Sequence, residues 1–300
     1  MGRASNRKKA QRQAGSSPGT DAEAQQAIRM LADSLQAMIQ EANERDEVEA
    51  LARRAWCGGT EPVPAEAPQW PENSLGDRFF NGTHLEEARY APCLPIAEIP
   101  DPGVIAADPA HWNVAANALI RAVAFDGLAL DHPAVRTLLE VLAPIAGAEL
   151  AYGKAMDAWL DGPEPDFYDD GPEFPEQDGP VFLLGACTLM DAVWAAVGED
   201  PLTGVRRVLL PVLAGAVPAV DCEVAADALI GAFATEYRCE LPGDAEVLER
   251  IAHYGADPLE NLVDAGAVPP GDVLPAGLAI LAALAQLCRS GSASVLQPAA

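Results

Sequence analysis

The chain has 300 residues, with 45 aspartates and glutamates against 19 lysines and arginines and a formal net charge of -26. Half of it is hydrophobic, which at this length buries a real core and excludes disorder of the whole. A surface this acidic repels nucleic acid, anionic lipid and acidic substrates at long range and attracts basic partners.

The first thirteen residues reverse that balance. "MGRASNRKKAQRQ" carries Arg3, Arg7, Lys8, Lys9 and Arg12 without one acid. Setting those five aside leaves 14 cations against 45 acids, a body at -31. Residues 1–19 are expected to form a disordered basic arm. Its cations, interleaved with Ser5, Asn6, Gln11 and Gln13, suit weak, sequence-independent contact with nucleic acid or another polyanion. It has no aromatic ring for base stacking, and a plain solubilising tail is the competing reading. No apolar run follows the basic start, so a secretory leader is not expected and the chain is assigned to the cytoplasm.

Residues 20–56 read as one long amphipathic helix. Asp21 is its cap, Ile28, Leu31, Leu35, Met38 and Ala42 draw an apolar stripe, and Gly58-Gly59 stops it. Two heptads are too few for a coiled coil, so the stripe is expected to pack on its own body. Residues 57–107 carry eight prolines, among them Pro62, Pro92 and Pro102, together with Trp70, Phe79, Phe80 and Tyr90. Prolines forbid long helices and aromatics argue against free disorder, so a wrapping segment is expected, with a hairpin turning at Asn81-Gly82.

From Asp108 the pattern becomes helical. Asp-Pro pairs at 108, 200 and 257 serve as cap and first helical residue. Helices are expected at 109–125, 133–143, 145–160, 180–197, 201–216, 222–238, 244–254, 258–265 and 273–289, with Pro144 and Pro211 breaking or kinking theirs. The runs around 181–197 and 273–288 approach membrane-span length, but Asp191 and a Val-Leu-Pro start favour buried core helices. The fold class is all-α, an irregular multi-helix bundle over 108–289, with stacked solenoid-like helices as the alternative and 290–300 as a tail.

Residues 161–179 hold eight acids, no base and four prolines, and must be an exposed loop. Asp166, Asp170 and Gly171 fit positions one, five and six of a calcium loop, but Tyr168 and Gln177 occupy positions that need carboxylates. Phe167, Tyr168 and Phe174, with Asp169 and Asp170, are instead candidate anchors for a basic partner.

Six single cysteines without a CxxC pair and four scattered histidines give no metal signature, and no nucleotide or nucleophile-elbow motif occurs. No cofactor and no metal are expected. Two function classes follow. The preferred one is a non-enzymatic helical interaction protein with a tethering arm and an unidentified protein partner. The alternative is an enzyme whose site lies between 57–107 and the helices, with His84, Glu86 and Glu87 the first groups to test; a cysteine such as Cys57 or Cys93 meeting His84 in space would be a nucleophile pair.

Overall fold

The computed structural model describes Gln36, Trp70, Glu72 and residues 74–90, 102–162, 180–197, 201–216, 222–241 and 243–290. The chain divides into Met1–Leu51 and Ala52–Ala300, and every helix below belongs to the second unit. Among the described residues there are eleven α-helices and no strand. They are α1 (Leu75–Phe80), α2 (Thr83–Tyr90), α3 (Pro102–Ala107), α4 (Trp112–Ala124), α5 (Pro133–Leu160), α6 (Pro180–Val197), α7 (Pro201–Ala216), α8 (Cys222–Tyr237), α9 (Ala245–Ile251), α10 (Pro258–Asp264) and α11 (Val273–Arg289).

The helix α6 is the hub. It packs against α1, α2, α4, α5, α7, α8, α10 and α11, whereas a solenoid repeat touches only its neighbours. The fold is therefore an irregular bundle. The second apolar run behaves as core as well: Pro270–Arg289 has the length and composition of a membrane span, yet ten residues of α11 are buried, Leu274, Leu278, Leu281 and Leu284 among them.

Two expectations need correction and a third gains detail. The turn at Asn81-Gly82 does not join strands. Ser74 accepts from the Asp77 amide at 3.1 Å and starts α1. Asn81 ends it, its own amide donating to the Asp77 carbonyl and its side chain to the Asp77 carboxylate, and α2 begins two residues later. The pair reads as a hairpin because asparagine and glycine serve a helix terminus as readily as a β-turn. Second, the segment whose prolines forbid long helices holds three short ones, α1, α2 and α3, and Pro102 stands at the first position of α3, where a proline costs no hydrogen bond.

Third, Pro144 neither breaks α5 nor divides it: the helix runs 28 residues from Pro133 to Leu160 with Pro144 inside. Proline removes one amide and strands the carbonyl four residues back. Both Pro144 and Glu140 lie on the solvent face, where that carbonyl is open to water. Pro211 is likewise exposed inside an uninterrupted α7.

The Asp-Pro start holds at 257, whereas after Asp108 a 3-10 turn, Pro109–His111, precedes α4, which begins at Trp112, and Asp200 lies outside the described residues. Asp257 accepts from the Leu259 and Glu260 amides, both at 2.9 Å, and Asp244 from Glu246 at 2.9 Å. At α5 the cap is His132, which accepts from Ala134 at 3.3 Å.

Candidate functional site

The α6 sequence is apolar on nearly every side, as a hub helix must be. One face is nonetheless uncovered. Leu183 is 58% exposed and Trp194 38% exposed, and between them stand Cys187 and Asp191, each half-buried. The spacing of four, four and three residues aligns them along one side of the helix. Beside this ridge the last turn of α8 brings Tyr237, 40% exposed. Its ring lies 4.2 Å from that of Trp194, and both pack on the buried Phe233 at 5.2 and 5.0 Å.

A cleft of about 250 Å³ opens between these elements. Its α6 wall is Leu183, Ala186, Cys187, Met190 and Asp191; α8 contributes Glu236 and Tyr237; α2 contributes His84; and Ala256, Asp257 and Pro258 close the far side.

Each wall is held by a specific polar contact. Asp191 reaches across to α2, where its Oδ2 accepts from the His84 and Leu85 amides at 2.5 and 3.2 Å. The acid on α6 thus caps a helix that starts more than a hundred residues earlier. Gly82 permits the approach: a Cβ there would lie 3.0 Å from the Asp191 Cβ. On the far side Asn261 is 2% exposed. It donates to the carbonyls of Ala228 on α8 (3.1 Å) and Gly255 (2.8 Å) and accepts from the Gly255 amide at 3.1 Å. This clamps the 255–258 turn to α8. A third tie, Arg250 donating twice to the buried Asp227 carboxylate at 2.9 and 3.1 Å, holds α9 against the same helix.

The electrostatics of the cleft are negative. No lysine or arginine lines it among the described residues, and three carboxylates do. Burial raises the Tyr237 phenol above its usual range, and the charges of Asp191 and Glu236 raise it further. Burial also pushes the Asp257 carboxyl upward, opposed by the two amides it caps.

The sequence-predicted groups are dispersed. His84 does line the cleft, whereas Glu86 is exposed outside it, and the Glu87 side chain lies outside the described residues. So do Arg3, Arg7, Lys8, Lys9, Arg12, Phe167, Tyr168, Asp169, Asp170 and Phe174. Among the described residues no three histidine, cysteine or acidic side chains gather as metal ligands.

Nothing in the sequence marks Cys187, Asp191, Trp194 or Tyr237 as site residues. Within the apolar run only Asp191 breaks the pattern, and an isolated acid argues against a membrane span without marking a site. No family model, curated protein or solved structure matches the chain.

Proposed function

We propose that the chain is a non-enzymatic, cytoplasmic interaction protein whose helical body docks a segment of a partner protein on the α6–α8 face. The basic arm adds weak, sequence-independent attachment to nucleic acid or another polyanion. One observation carries the docking reading: of the five large apolar side chains exposed among the described residues, Leu183, Trp194 and Tyr237 stand together beside a cleft, while the other two, Val104 and Leu160, do not line it. Tryptophan and tyrosine flanking a pocket are the side chains that most often dominate binding energy. The acidic segment, with Phe167, Tyr168 and Phe174, offers a second contact of the same charge. The test is partner exchange: Leu183→Asp and Trp194→Asp should abolish capture of a cross-linked partner that the wild-type chain retains, with unchanged circular dichroism. Retention by both variants would remove the face from consideration.

A second reading has one observation in its favour. His84 and Cys187 line the same cleft, and an imidazole beside a thiol is what a cysteine nucleophile needs. A thiolate stabilised that way reacts with iodoacetamide nearly as fast at pH 6 as at pH 8. An ordinary thiol slows by roughly two orders of magnitude, so peptide mapping of Cys187 alkylation separates the two readings.

A further inference from the structure

We infer that the cleft receives one cationic side chain, a lysine or arginine carried by an otherwise apolar partner segment, with its charge among Glu236, Asp257 and Asp191 and its stem along Tyr237. This rests on the docking reading and adds the chemistry of the occupant.

Size comes first. About 250 Å³ falls below the roughly 300–1,000 Å³ of sites that enclose a cofactor or drug-sized ligand. It matches a single long side chain entering from a surface that continues on either side. Sign comes second. Three carboxylates face a space that no lysine or arginine of the described residues lines. Arg238, next to Tyr237 in the chain, is exposed and is not among the lining residues. An anionic group entering here meets repulsion, and a neutral one displaces water from the acids without adding a charge-assisted bond. A cation makes hydrogen bonds to the carboxylate oxygens stronger than neutral ones, beside the amides that Asp191 and Asp257 already accept.

The shape of the wall is the third observation. Tyr237, its ring tilted against that of Trp194, presents an aromatic surface beside the acids, the combination that holds an ammonium or guanidinium by its charge and its methylenes together. Leu183 and Trp194, three turns apart on α6, lie exposed to either side of the Cys187–Asp191 stretch. They suit apolar residues flanking the cation, about one helical turn away in each direction.

The experiment uses the full chain and a display library of random dodecapeptides, selected on the wild type and counter-selected on Leu183→Ser, which removes the exposed apolar side chain without adding charge to the cleft. Selected peptides are expected to share a lysine or arginine with apolar neighbours at helical spacing. Replacing that residue by citrulline or norleucine should weaken binding at least about tenfold at about 0.15 M salt. Glu236→Gln should weaken it severalfold, while Glu140→Gln, an equal loss of charge on a remote exposed position of α5, should not. Selected peptides without a cation, neutral analogues that bind equally, or equal effects of Glu236→Gln and Glu140→Gln would each overturn the cation receptor and leave the docking face standing. If no peptide survives counter-selection, the docking face fails as well, and this inference with it.

Discussion

Glu149 shows how one residue can tie the hub to its neighbours at a cost. It projects from α5 and is 7% exposed. One carboxylate oxygen accepts from the Phe182 amide at 2.6 Å, with the Val181 amide a second donor, while Oε1 is buried without a hydrogen-bond partner. The first turn of α6 needs acceptors for its amides, and α5 provides one. Burial outweighs the two amides and lifts the carboxyl from 4.5 to about 7. Ionisable groups stand on the elements packed against α5: Cys187 and Asp191 on α6, Arg121 on α4, Asp272 in the 3-10 turn before α11, and Cys288 and Arg289 on α11. None is among the causes of the shift. An acid whose folded value is raised binds more protons folded than unfolded, so its contribution to stability is full below pH 4.5 and is lost as pH rises through about 7. The loss attributable to this carboxyl is about 3 kcal/mol at most. Urea unfolding across that window should show the fall in the wild type, and Glu149→Gln should flatten it by that amount. A variant with the same pH slope would mean that Glu149 titrates normally. Asp191 is the opposite case, a half-buried acid whose Oδ2 accepts two amides. Asp191→Ala should cost about 1–2 kcal/mol, with hydrogen exchange rising selectively at His84 and Leu85.

At the scale of elements, the 28-residue α5 makes the sharpest prediction. Pro144 occupies an exposed interior position, so alanine there restores an amide donor to the Glu140 carbonyl without disturbing the core. The interior penalty of proline is about 3 kcal/mol relative to alanine. Pro144→Ala is therefore expected to raise the melting temperature, with a gain of up to that size. A fall would show that the helix bends at Pro144 to fit α6. The same helix shows where sequence reading succeeds and stops. The helices α6, α7 and α11 carry long apolar runs with proline or glycine punctuation, and their ends agree with expectation to the residue. The short helices α1, α2 and α3 span six to eight residues, too few for periodicity to emerge. The acceptor that starts α2 comes from Asp191, 107 residues away, and no local motif can announce a cap supplied across the fold. The cleft was hidden for a related reason. His84, Cys187, Glu236 and Asp257 come from four separate stretches, and which side of an apolar α6 stays uncovered depends on how its neighbours pack.

At the scale of the whole molecule, charge sets what the arm can do. The body at -31 repels a polyanion, while Arg3, Arg7, Lys8, Lys9 and Arg12 attract one. The two effects have different ranges. Body repulsion at physiological salt decays over a Debye length of about 8 Å, whereas contacts between arm and phosphates release condensed counterions however distant the body lies. Five such contacts give a slope of log affinity against log salt of about -4.5 on duplex DNA and about -3.5 on single strands. Screening of the repulsive body by added salt opposes that trend, so the measured slope should be no steeper than these values. Affinity should be weak and indifferent to sequence, because nothing in the arm stacks on bases or reads their edges. Replacing all five cations with glutamine should abolish binding and leave the melting temperature unchanged, if the arm contributes charge alone. Titrations of labelled duplex and single-stranded oligonucleotides across a salt series check both halves. A slope that persists in the glutamine variant would move the polyanion contact onto Arg53 and Arg54 or Arg206 and Arg207, the other adjacent basic pairs of the chain. Absence of salt-dependent binding by the wild type at low salt would reduce the arm to a solubilising tail.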